Sequence, residues 1–191
     1  METFDPTWLE GHDFVFFKLH GHRGQPYWYG DDHITALSAD QLLLADLQGA
    51  VVFVANCWLF DHDGTPGPML LPLLRTASAV IGGPGTNYAL ANKLGGTDLL
   101  ALYVRFFLRL RLSAQAALRL AKIRLTLNRP CYATKDTLGF HVFTPLYQDP
   151  LTRVAAQERT EYDPTADNCP LTTVVKPTDN CSLKTAVKRP T

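Results

Sequence analysis

Phe14-Val15-Phe16-Phe17-Lys18-Leu19-His20-Gly21-His22 and, further along, Val51-Val52-Phe53-Val54-Ala55-Asn56-Cys57 decide how this chain is read. Each begins as a nearly continuous run of Val and Phe, the pattern of a strand buried on both faces. Each then ends on a side chain able to do chemistry. Ligand crevices open at the C-terminal edge of an α/β sheet, so a His and a Cys delivered there by neighbouring strands can meet across one cleft.

Working outward, residues 13–19 form the first strand. The aromatic, turn-rich stretch from Gln25 to Asp32 is a loop by composition. Ser38 with Gln41 three residues on makes a capping box for a short helix that stops at Gly49. Residues 50–55 form the second strand. A Gly- and Pro-rich loop spans Asp61 to Pro68, and Met69 to Thr76 is helical, with Pro72 its weak point. A third strand, residues 77–81, runs into Gly82-Gly83-Pro84-Gly85. Thr97 caps a long helix to about Leu112, whose wet side is marked by Arg105, Arg109 and Arg111, and Ser113 caps another to about Leu127. Phe140-His141-Val142-Phe143 reads as a closing edge strand, because Pro145 follows closely. Alternating strands and helices imply an α/β fold with a mostly parallel sheet. Residues 1–12 precede it, the domain occupies 13–154, and residues 155–191 form an irregular tail rich in Thr, Pro, Asp and Asn.

At 191 residues and 46% hydrophobic, the chain suffices for one domain with a real core. Its 18 basic side chains balance 18 acidic ones, so no global field attracts nucleic acid or an anionic membrane. With no signal-like start and no apolar run of spanning length, the chain reads as soluble and cytoplasmic. The four cysteines include no Cys-x-x-Cys pair, so no metal site is expected. Cys169 and Cys181 would pair only in an oxidising compartment. Gly82–Gly85 lacks the Lys-Ser/Thr of a phosphate-binding loop, which removes nucleotide binding.

A thiol attacks a peptide carbonyl as thiolate, which requires a nearby base and two donors for the developing oxyanion. His20 and Cys57 fit the base and nucleophile. The amides of Gly21 and Cys57 fit the oxyanion donors, since glycine lets backbone approach closely. A lone strand-end Cys is also a common small core hydrophobe, and a lone His near glycine a common loop residue.

Leu19-His20-Gly21, the helix entered at Leu37-Ser38-Ala39-Asp40-Gln41-Leu42, Ala55-Asn56-Cys57 and Ser78-Ala79-Val80-Ile81-Gly82 resemble the caspase-like cysteine peptidases, in particular their gingipain-like and CHAT-domain branches. Gln148-Asp149-Pro150-Leu151 is similar to the Gly-Asp-Pro turn of the gingipain-like group, with Gln148 in place of the Gly. The caspase Gln-Ala-Cys-Arg-Gly signature is absent, and bulky Trp58 follows the cysteine. The resemblance implies a three-layer sandwich and a cysteine endopeptidase with a His20–Cys57 dyad. It also implies a protein or peptide substrate and no cofactor. The strands that normally precede the His-bearing one are lacking here. The chain then corresponds to a C-terminal portion of the fold, to a sheet completed by another chain, or to a reduced form. A catalytically inactive peptidase-like module for peptide binding or assembly is the alternative, and a thiol hydrolase or acyltransferase acting on small amides would share the dyad.

His20 matches the family's His-Gly pattern, while His22 lies two residues on and points the same way if the strand continues. His33, His62 and His141 read as surface or edge residues. For substrate binding, Asp61 and Asp63 follow the nucleophile closely enough to line an acidic pocket. Trp28, Trp58 and Tyr88 either wall the cleft, together with Tyr29, or serve as packing rings.

Overall fold

A computed structural model describes residues 4–30, 33–87 and 94–145. Among them run β1 (Phe14–Phe17), β2 (His20–Gly21), β3 (Tyr27–Tyr29), β4 (Thr35–Ser38), α1 (Ala39–Leu44), β5 (Val51–Val54) and α2 (Leu70–Thr76). They are followed by β6 (Ala79–Gly82), α3 (Gly96–Arg109), α4 (Ala114–Asn128), α5 (Lys135–Leu138) and β7 (His141–Phe143). The main sheet has the order β1-β5-β6-β7; β1, β5 and β6 are parallel and β7 is antiparallel. A second, antiparallel sheet of β2, β3 and β4 follows β1. The fold is thus mixed α/β with a mostly parallel central sheet.

Alternation along the strands builds two cores. Val52 and Val54 of β5, with Val80 of β6, pack toward Leu42, Leu70 and Leu73 of α1 and α2. Phe53 and Ile81 point the other way, onto Leu100, Val104, Ala117, Ala121 and Leu125 of α3 and α4. Helices therefore cover both faces, which is why β5 and β6 read as unbroken apolar runs. β1 departs from that expectation. It pairs only with β5 among the described residues, and Phe16 is 39% exposed, so this strand is an edge and not buried on both faces.

The stretch from Gln25 to Asp32, expected as a loop, contains β3. Trp28 and Tyr29 are buried there, and Trp28 packs against Phe17 with ring centroids 5.2 Å apart. Burial of Trp28 and Tyr29 in a hairpin, with Tyr27 half-buried beside them, overrode the turn signals of the flanking Pro26 and Gly30. The first twelve residues do not stand apart either. Leu9, on a 3-10 turn over Pro6–Leu9, joins the core, and Gln41 Nε2 donates to the Phe4 carbonyl.

Two helix starts follow their sequence signals. Ser38 Oγ accepts from Gln41 N–H while Gln41 Oε1 accepts from Ser38 N–H, and Ser113 Oγ accepts from Ala116 N–H. α1 ends at Leu44, short of Gly49. The long helix is capped not by Thr97, which is buried, but at Gly95, whose N–H donates to Asp98 at 2.7 Å. Lys18 Nζ, just past β1, pairs with the same carboxylate at 3.0 Å, which outcompetes the threonine signal by tying the helix start to the sheet edge. α3 ends at Arg109 and not at about Leu112, with Arg111 in a left-handed turn before α4. Gln148-Asp149-Pro150-Leu151, Cys169, Cys181 and the tail over 155–191 lie outside the described residues.

Candidate active site

Parallel β1 and β5 pair Phe17 with Val54, so both leave the sheet at the same edge. Beyond the ladder the two chains stay clasped. Ala55 N–H donates to the Phe17 carbonyl at 2.8 Å, and Leu19 N–H donates to Asn56 Oδ1 at 2.6 Å. One residue further, Gly21 lies so close that a Cβ built on it would collide with the carbonyl oxygen of Cys57. Only glycine fits there. The His20–Gly21 and Asn56–Cys57 segments are therefore in backbone contact.

Cys57 is a buried thiol outside any disulfide, 4% exposed, whereas Cys131 is disulfide-bonded. The Cys57 sulfur lies 3.4 Å from both backbone groups of Asn87, donating to its carbonyl and accepting from its N–H. Asn87 in turn donates through Nδ2 to the Asn56 carbonyl at 2.7 Å. Asn56 and Asn87 are both buried, and sequence reasoning gave neither a role. The available signal was an Asn directly before the cysteine, at a strand end with no helix to cap.

The backbone at this edge is strained. Trp58 has φ +58°, a left-handed conformation that costs a bulky L-residue about 1–2 kcal/mol. Its N–H donates to the Gly85 carbonyl at 2.7 Å, which holds it there. Among the described residues, Asn56 Nδ2, Trp58 Nε1 and Asn87 Oδ1 are buried and have no hydrogen-bond partner. An orphaned polar atom of this kind costs about 1–3 kcal/mol. All three belong to residues bracketing Cys57, and such clusters of strain and unmet polarity concentrate at functional sites.

His20, on β2, stacks on Tyr29 of β3 at 5.4 Å between ring centroids. His22 and His33 also pack against that ring, at 5.0 and 5.2 Å. Partial burial, followed by repulsion from His33 and His20, lowers the pKa of His22 below the ordinary imidazole range. No group of three or more His, Cys, Asp or Glu able to hold a metal occurs among the described residues.

The expected substrate-binding residues fare unequally. Trp28, at 1% exposure, is a core residue and walls no cleft. Trp58 is partly exposed at the edge, with the Arg23 guanidinium 5.7 Å from its ring and His62 edge-on at 6.2 Å. Asp61 accepts from Arg23 Nε and Nη2 at 3.1 and 2.9 Å, so its charge is already engaged by this chain. Asp63 is exposed and accepts from Thr65 N–H, the main reason its carboxyl pKa is lowered. Tyr88 lies outside the described residues.

Compared with known proteins, the chain matches no protein-family model and no curated protein. What fold and geometry define is a class: a mixed α/β domain whose sheet delivers a His-Gly and an Asn-Cys segment to one edge, side by side.

Proposed function

We propose that the chain is a cysteine endopeptidase of the caspase-like class, built as the C-terminal portion of that three-layer fold. The observation that carries this reading is the clasp between Leu19-His20-Gly21 and Asn56-Cys57 at the ends of adjacent parallel strands. In the reaction, His20 accepts the proton of Cys57 Sγ and the thiolate adds to the scissile carbonyl. The amides of Gly21 and Cys57 receive the oxyanion. Collapse expels the amine, which takes the proton from His20. Water then attacks the thioester, giving up a proton to His20, and releases the acid with restoration of the thiol. The described conformation is a resting one, because the backbone of Asn87 brackets the sulfur. Substrate has to displace Asn87, and the three orphaned polar atoms around it make that contact less costly to leave. The free edge of β1 fits a sheet that a preceding segment or another chain extends.

Burial of the Cys57 sulfur favours a second reading, a catalytically inactive module that keeps the fold for peptide binding or assembly. A peptidyl acyloxymethyl ketone separates the two. Under the first reading, mass spectrometry finds the adduct on Cys57 and His20→Ala abolishes it. Digestion of a peptide library also stops on Cys57→Ala. Absence of both labelling and cleavage in the native chain, with peptide binding retained, refutes the peptidase and leaves the module.

A further inference from the structure

The even charge of the whole chain conceals a segregation. Residues 99–129 carry seven basic side chains and no acidic one, leaving 11 basic against 18 acidic elsewhere. That stretch is the α3–α4 hairpin beyond the first turn of α3, where Asp98 is buried and paired with Lys18. Arg105, Arg109, Arg111, Arg119, Arg124 and Arg129 are all exposed, while Lys122 turns inward to donate to the Phe140 carbonyl.

The same outer face is apolar. Leu102 and Phe106, one helical turn apart on α3, are exposed, as are Leu120, Ile123 and Leu127 at i, i+3 and i+7 on α4. Leu127 reaches 76% exposure. The inner stripes of both helices, Leu100 and Val104 with Ala117, Ala121 and Leu125, already fill the sheet-facing core, so these outer residues lie outside it. Arg124 lies 5.0 and 5.1 Å from the rings of Tyr103 and Phe106, joining the two stripes into one surface.

We infer that the outer face of the α3–α4 hairpin docks onto an anionic phospholipid surface. Leu, Ile and Phe set among arginines, with no acidic residue over 99–129, are the composition of an interfacial helix. The apolar groups enter the acyl boundary while the arginine stems extend to lipid phosphates. A second copy of the chain is the wrong occupant, because a two-fold contact would place the same uncompensated cations against one another. A specific protein partner is normally held in register by charges of both signs, whereas residues 99–129 supply only positive ones. Nucleic acid would satisfy the arginines and strand the large apolar side chains against phosphate. A balanced total therefore excludes a global field and leaves this local one standing.

The test is co-sedimentation of the full chain with large unilamellar vesicles of phosphatidylcholine, alone or with phosphatidylserine. Partition into the phosphatidylserine vesicles is expected at about 0.1 M salt and should weaken toward 1 M, where the Debye length falls to about 3 Å. Neutralising Arg105 and Arg109 together (Arg105→Gln, Arg109→Gln) should lower the partition coefficient about fivefold per arginine. These positions are exposed, so circular dichroism should be unchanged. The pair Leu102→Ser and Phe106→Ser should lower it as well. Equal partition into both vesicle types, no partition at low salt, or partition unaffected by the arginine variants overturns the inference. So does tighter binding of polyglutamate or duplex DNA than of vesicles, or a dimer that the Leu102/Phe106 pair abolishes.

Discussion

The edge around Cys57 and the α3–α4 hairpin depart from ordinary protein construction in opposite ways. At the edge the local rules are broken: a tryptophan sits at positive φ, a glycine is pressed against a carbonyl oxygen, and three buried polar atoms lack partners among the described residues. In the hairpin the local rules are kept within both helices, and the departure is confined to Arg111, at φ +61° in the turn between them. Ser113 caps α4, Asp98 closes the first turn of α3 with its charge at the helix N-terminus, and the inner stripe follows helical spacing. What the hairpin breaks is the global rule that exposed surface be polar and mixed in charge. Local strain inside a well-packed fold points to chemistry, whereas a locally comfortable element with an uncovered apolar and cationic face points to a surface it meets.

The sharpest way to break this comparison is Gly21→Ala. A methyl there meets backbone, which has no rotamer to yield, so a loss of about 3 kcal/mol in urea unfolding is expected. A loss below about 1 kcal/mol would mean the two strand-end segments are not clasped. Asp98→Ala should cost about 2 kcal/mol, since it removes the cap of α3 and leaves Lys18 without its carboxylate. If Lys18→Met costs as much, the ion pair and not the cap is the stabilising part. Trp58→Gly should change stability by less than about 1 kcal/mol, because relief of positive φ and of the orphaned Nε1 offsets the lost ring contacts. A tryptophan in relaxed backbone would cost about 3 kcal/mol or more on such truncation, and that outcome would remove the strain from the account.

The smallest effect is on pH dependence. Burial holds the His22 pKa below its unfolded value, so the unfolded chain takes up this proton first as pH falls. Stability from this residue is intact above about pH 6.5 and declines below it, until the folded state protonates as well. His141 shifts in the same direction, again chiefly through burial. His22→Gln should make the fall in urea midpoint between about pH 7.5 and 5.5 shallower. An unchanged slope would assign the dependence to other groups.

Much of this was legible in the chain. Continuous apolar runs marked β5 and β6, and the Ser38/Gln41 and Ser113 caps marked α1 and α4, because each signal depends on neighbours a few residues away. The Asn-Cys segment follows β5 as its sequence implies, whereas His20–Gly21, expected at the end of the first strand, forms β2 of the antiparallel sheet three residues past β1. Trp28 could be read as a cleft wall or a packing ring, because Pro26 and Gly30 bracket its aromatic run, and its neighbours in space, Phe17 and Leu37, make it a packing ring. Asp61 was offered to a substrate because Arg23 lies 38 residues away in sequence, and only the fold brings the pair together.

The sequence alone determined the buried runs of β5 and β6, the helices that cover them, and the concentration of positive charge in one 31-residue stretch. These follow from periodicity and composition, which are local properties. Tertiary structure decided that Gly21 must be glycine, that Asn87 brackets the sulfur, that Trp58 is bent into a left-handed turn, and that the arginines share a face with exposed leucines. Each of those depends on the distance between segments far apart in the chain, and only packing sets that distance.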